Sequence, residues 1–130
     1  MGACYDVTLK IKVTDEKNAI IALNKKIRND KRVNFSLENY AKQGITTKTF
    51  DDLMKIFLAG WKNQEIKIDK SSHYTIYSNA FNASYGWEDV MIEMFKTLAP
   101  FLQNNSRFLI YSEDGYDELI VKNGKCIQLQ

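Results

Sequence analysis

Histidine occurs once in the 130 residues, at His73, and proline once, at Pro100. One imidazole excludes a His-rich metal site and leaves a single candidate for any histidine-based dyad. The two cysteines, Cys4 and Cys126, are too few for a disulfide framework. None is needed, because a chain of this length buries roughly two-thirds of its unfolded surface on folding. Both cysteines fall in predicted strands near opposite ends of the chain. They are expected to be a buried pair of free thiols, bridged only if the terminal strands are neighbours. Glycines are few, and Gly44, Gly60 and Gly86 stand alone, so no phosphate-cradling loop exists and Rossmann and P-loop chemistry is excluded. No HExxH, CxxC or GxSxG pattern occurs. No long apolar run occurs either. The stretch Ile56-Phe57-Leu58-Ala59 stops at Gly60 and Trp61, far short of a bilayer span. The start MGACYDVTLK has no charged region followed by an apolar one, so no signal peptide is expected. Asp6 stands where a myristoylation motif needs Ser or Thr. The expected address is the cytoplasm.

With 45% hydrophobic and 26% charged residues, the composition is that of a folded domain and not of a disordered tail. The length suits one domain over residues 1–130. Net charge is +2 but uneven: residues 1–75 carry 14 Lys/Arg against 9 Asp/Glu, and residues 76–130 carry 4 against 7. This mild dipole is weaker than the footprint of a dedicated nucleic-acid binder. Lysine outnumbers arginine 15 to 3, the bias of an AT-rich coding genome such as that of a low-GC bacterium or its phages.

Tyr5, Val7, Leu9, Ile11 and Val13 alternate with Asp6, Thr8, Lys10 and Lys12, which is the pattern of a half-buried strand. Thr14 is the expected N-cap of a helix to about Asn29, with Asp15 and Glu16 in its first turn. A short helix is expected after Ser36, with Phe35 stapled to Tyr40 and Gly44 as its end. Thr49 caps a further helix with the stripe Phe50, Leu53, Met54, Phe57, Leu58 and Trp61. Segments 65–69 and 73–78 read as strands and 79–85 as a polar, aromatic loop. A long helix from Gly86 or Trp87 to Gln103 follows, kinked by Pro100. Residues 108–113, 118–122 and 125–129 read as a meander. Its turns fall at Asp114-Gly115 and Asn123-Gly124, which sets Ile110 opposite Leu119 and Val121 opposite Cys126. The fold class is α+β: an antiparallel sheet of about five or six strands with three to four helices mainly on one face.

Beside Tyr74 in a strand, His73 reads as structural or exposed. The cysteines lack the cationic or helix-N-terminal setting that activates a thiol. The acidic tip Glu113-Asp114-Gly115-Tyr116-Asp117-Glu118 lacks the ligand spacing of a calcium loop and reads as a solvated hairpin end. Glu88 and Asp89 suit the dipole of the last helix without invoking catalysis. No catalytic residue, metal or cofactor is expected. Ser36–Phe57 has the outline of a helix-turn-helix. However, Ala41 and Gly44 are three apart where four is usual, and Asp51 and Asp52 would repel phosphates, so direct DNA binding is not favoured.

Two features point to a partner. Lys25, Lys26, Arg28, Lys31 and Arg32 cluster at the end of the first helix, suited to electrostatic steering. Tyr77, Phe81, Tyr85 and Trp87 form a dense aromatic run, suited to anchoring an interface or stacking on a ligand.

The C-terminal half, from Ala83-Ser84-Tyr85-Gly86-Trp87-Glu88-Asp89 through Asp117-Glu118-Leu119-Ile120-Val121-Lys122-Asn123-Gly124-Lys125, resembles small accessory proteins of bacterial mobile elements and phages. The resemblance covers less than half of the chain and carries over no functional residue. It implies a stoichiometric inhibitor of a host defence system, the class that includes anti-CRISPR proteins. The expected function is therefore non-enzymatic binding of a bacterial protein, including one that handles nucleic acid. The alternative is a small-ligand module, nucleotides included, near Tyr77–Trp87. An enzyme built on His73 ranks third. Homo-oligomerisation stays open.

Overall fold

The alternating segment at the N-terminus forms the strand around which everything else is arranged. In the computed structural model, which describes residues 2–35, 37–58, 66–113 and 115–129, β1 spans Gly2–Ile11 and is paired on both sides. Its odd-numbered residues Tyr5, Val7, Leu9 and Ile11 are buried beneath helices, and its even-numbered residues Cys4, Asp6 and Lys10 face solvent. Five further strands complete one antiparallel sheet: β2 (Lys67–Asp69), β3 (Thr75–Ser84), β4 (Arg107–Ser112), β5 (Gly115–Lys122) and β6 (Lys125–Leu129). Their order is β2-β3-β1-β4-β5-β6, so β2 and β6 are the edges.

The helices are α1 (Glu16–Arg28), α2 (Lys31–Asn34), α3 (Leu37–Lys42), α4 (Phe50–Leu58) and α5 (Trp87–Leu98), four of them longer than a single turn. They cover one face of the sheet. Leu23 and Ile27 of α1, the stripe of α4, and Val90, Met91, Met94, Phe95 and Leu98 of α5 meet the buried face of β1, β3, β4 and β5 in one apolar core. The expected α+β architecture and its C-terminal meander are thus present.

Several boundaries differ from those expected. Residues 79–84 are not a loop. They extend β3 to ten residues, because ten-residue β1 pairs with it from Gly2↔Ser84 to Ile11↔Thr75. Asp15, not Thr14, caps α1 by accepting the Asn18 N–H at 3.2 Å, while Thr14 bonds the Phe101 carbonyl through its N–H and hydroxyl. The last helix ends at Leu98 and tightens into a 3-10 turn at Ala99–Phe101, since Pro100 has no N–H to continue it. Val121 does face Cys126, but Leu119 faces Phe108, and Ile110 faces Asp117. The β4–β5 hairpin closes on Ser112↔Gly115, one residue earlier than the expected turn, and stacks Tyr111 on Tyr116 with ring centroids 4.9 Å apart. A slip of two residues leaves every side chain on its face, so the alternation could not reveal it. The expected roles of Ser36, Gly60, Trp61 and Asp114 lie outside the described residues.

Candidate interaction surface

The basic cluster is held at one corner of the molecule by three contacts. Lys26 reaches Glu93 of α5, with Nζ 3.7 Å from Oε1. Asp30 caps α2 through the Arg32 N–H at 3.0 Å and also faces the Arg32 Nε at 3.6 Å. Arg32 Nη1 donates to the Gly86 carbonyl at 3.4 Å. That last bond brings α2 beside the β3–α5 turn, a juxtaposition that sequence spacing cannot show. Gly86 has φ +84°, a left-handed conformation that turns the chain sharply after Ser84, and Tyr85, the residue before the carbonyl that Arg32 holds, is 58% exposed.

Phe35 adds a second aromatic. It follows Lys31 by one helical turn and is 86% exposed, while Tyr40 is buried, so the expected staple between them does not form. Val33 takes the buried position of this turn, and Phe35 lies about 200° further round the helix. The signal was present in the sequence: a lone phenylalanine two residues after the apolar position of a polar stretch. Among the described residues, no ion pair involves Lys25, Arg28 or Lys31, and all three are exposed. The corner therefore presents cations whose charge is not neutralised by a bonded carboxylate, next to two exposed aromatic rings.

The remaining aromatics of the expected patch are core residues. Tyr77 and Phe81 share the covered face of β3, where Phe81 packs on Tyr5 at 5.7 Å and Tyr77 on Phe50 at 6.1 Å between centroids. Trp87 is buried at the start of α5 and donates its indole N–H to the Phe57 carbonyl at 2.9 Å. The extension of β3 is the reason: it points positions 77 and 81 the same way, under the helices. Of the four aromatics, only Tyr85 faces solvent. A hollow of about 360 Å³ beside β2 and β3 is lined, among the described residues, by Asp6, Lys67, Ser78, Asn79 and Ala80, none of them aromatic.

A polar cleft of about 150 Å³ lies near the other end of β1, where Asp51 accepts from the Tyr77 hydroxyl and from Lys70, each at 2.8 Å. Burial alone would raise the Asp51 carboxyl, but the bonds from Lys70 and Tyr77 outweigh it and hold the carboxyl below its ordinary value. Burial and the Asp51 charge push the Tyr77 hydroxyl well above its ordinary value. A carboxylate that stays ionised and a phenol that stays protonated do not trade a proton near neutral pH. The group ties α4 to β3 and to the turn after β2. Burial, then the bond to Glu88, likewise pushes Tyr5 up to about 12.

His73 is exposed, 3.1 Å from the Gln103 amide oxygen and edge-on to Tyr74. Cys4 sits at the far end of β1 from it. Contrary to expectation, Cys4 is exposed and Cys126 only half-buried. They lie on opposite faces of the sheet, with β4 and β5 between their strands, and cannot bridge. A bond with the Glu113 carboxylate raises the Cys4 thiol and burial raises Cys126, the reverse of activation. In the acidic hairpin, Glu113 accepts the Cys4 N–H, Asp117 accepts from Gln128, and Glu118 pairs with Arg107 and Tyr116. Among the described residues, no cluster of three or more His, Cys, Asp or Glu is placed to hold a metal. The half-exposed polar face of α4 carries Asp51, Asp52 and Lys55, and its two carboxylates would repel the phosphates of a DNA groove. Among the described residues, no helix is long and apolar enough to cross a membrane.

No family model matches this chain, and no curated protein or solved structure matches it.

Proposed function

We propose that this protein acts by binding another protein through the corner formed by the end of α1, by α2 and by the β3–α5 turn. The observation that carries this reading is the convergence of Lys25, Arg28, Lys31 and Arg32 with the exposed rings of Phe35 and Tyr85. Exposed aromatic rings and arginines are the residue types that anchor interfaces, and Lys25 and Lys31 suit the charged rim that steers the encounter. The partner's complementary face is acidic. The basic charge argues against mimicry of a nucleic acid as the mode of occlusion. It is also too local for the extended phosphate track of a nucleic-acid binder. The resemblance of residues 83–125 to accessory proteins of phages and mobile elements supports a stoichiometric inhibitor or regulator of a bacterial defence protein.

The test is retention of a partner from lysate of the source cell on the immobilised wild type, beside a Lys25→Glu/Arg28→Glu/Lys31→Glu variant. The retained protein is then titrated against both. Lys26 is left intact because it pairs with Glu93. The expected outcome is one partner in equimolar ratio, bound more weakly by the variant, with a shallower dependence on salt. Equal affinity and an equal salt slope for the two proteins would refute the assignment of this face.

A further inference from the structure

Among the described residues, no helix covers the second face of the sheet, and its residues are arranged with a polarity along the strands. Towards the β5–β6 turn lie Lys10, Arg107, Lys122 and Lys125. Towards the β4–β5 hairpin lie Asp6, Tyr111, Tyr116 and Glu118. Between these ends, at the edge of the sheet, stand Ile127 and Leu129, 43% and 36% exposed, with buried Ile120 beside Ile127.

The two edges of the sheet differ. Strand β2 has three residues and sets Lys67 and Asp69 on the open face, the charged guard usual at an edge. Strand β6 has five residues, no proline and two exposed aliphatic side chains. Its backbone parity follows from the Asn123-Gly124 turn, where both residues have positive φ, 53° and 75°. Such a turn closes on a hydrogen-bonded Lys122–Lys125 pair. Ile127 and Leu129 then also bond to β5, and Cys126 and Gln128 direct their N–H and C=O outward. The Val121 N–H and C=O agree with this alternation, since both bond towards β4, at Ser106 and Asn105, and not towards Cys126.

We propose that β6 pairs antiparallel with β6 of a second copy about a two-fold axis at Ile127, joining two sheets into one. In this register all five residues overlap: Lys125 meets Leu129, Cys126 meets Gln128, and Ile127 meets Ile127. The outward groups of Cys126 and Gln128 fall opposite one another as hydrogen-bonded pairs, so parity is satisfied on both chains. Charge selects the direction. Antiparallel pairing continues the row Glu118–Leu129 of one copy into Lys125–Lys122 of the other, basic end beside acidic end. Parallel pairing would set Lys125 against Lys125. On the open face, Ile120 and Ile127 of the two copies make one apolar strip across the axis. The partner surface proposed above contains no residue of β6, so the two assignments stand or fall separately.

Sedimentation equilibrium of the full chain and disulfide trapping test this. Wild type is expected to have twice the mass of the 15.1 kDa chain, and Ile127→Lys that of one chain, with an unchanged circular dichroism spectrum. In a Cys4→Ser/Cys126→Ser background, Ile127→Cys is expected to oxidise to a covalent dimer. Facing residues of a non-hydrogen-bonded pair have Cα atoms about 4.5 Å apart, within the span of roughly 4.4–6.8 Å that a disulfide bridges. Lys125→Cys faces Leu129 and is expected to stay uncrosslinked. A wild type that is monomeric at every concentration, a dimer that survives Ile127→Lys, or trapping equally efficient at 125 and 127 would each overturn the proposal. If Ile127→Lys unfolds, the trapping pair alone decides.

Discussion

The Tyr77 hydroxyl donates to one oxygen of Asp51 at 2.8 Å while Lys70 holds the other at the same distance, so one carboxylate ties three segments of the chain together. Its folded value is depressed relative to the ordinary 3.8, because the bonds from Lys70 and Tyr77 outweigh the effect of burial. The stabilisation is therefore complete above that ordinary value and is lost as pH falls through the lower folded one. Denaturant titrations from neutral pH down to strong acid should show an acid-side loss of stability that is smaller in Asp51→Asn. At neutral pH, Asp51→Ala should cost about 1–3 kcal/mol, because it leaves the Tyr77 hydroxyl in the core without its acceptor.

Trp87 and Phe81 should behave as core and not as interface. Trp87→Phe removes the donor to the Phe57 carbonyl and should cost about 1–3 kcal/mol. Phe81→Ala should cost about 3–5 kcal/mol. Chemical denaturation measures both. A Trp87→Phe protein that keeps its stability but loses its partner would reverse the placement of this residue.

Phe35 and Tyr85 should show the opposite pattern. Phe35→Ala and Tyr85→Ala remove exposed rings, so each should change stability by no more than about 0.5 kcal/mol. If they anchor the partner, each truncation should weaken binding by about 1–2 kcal/mol, five- to thirty-fold, in a titration with the retained protein. A drop in melting temperature with unaltered affinity would place them in the fold instead.

Gly124→Ala should destabilise the β5–β6 hairpin. Gly124 has φ +75°, and a side chain there is strained by about 1 kcal/mol. Hydrogen exchange should quicken at residues 120–127 before the amides of β1 respond.

Much of the fold was legible because its signals are local. Tyr5 to Ile11 alternate, so β1 could be read, and the stripe from Phe50 to Leu58 has one period only, so α4 could be read as well. Residues 79–84 were not legible, since Asn79, Ala80, Asn82 and Ser84 have poor strand propensity. They are strand because β1 supplies ten partners. The same extension decided the fate of the aromatic run, taking Tyr77 and Phe81 under the helices. The basic residues were legible as a cluster in sequence, but their neighbours Tyr85 and Gly86 are more than fifty residues away, and only the Arg32 bond to Gly86 reveals the corner they share.

The sequence by itself determined the types of β1, α1, α4 and α5, the two faces of β1 and the Asn123-Gly124 turn, because hydrophobic period and turn chemistry act over a few residues. Tertiary structure alone decided which strands became edges, which aromatics were buried, and where α2 met the β3–α5 turn. Those depend on pairing and packing between segments far apart in the chain, and a local pattern compatible with either outcome is resolved only when the partner strand or helix is in place.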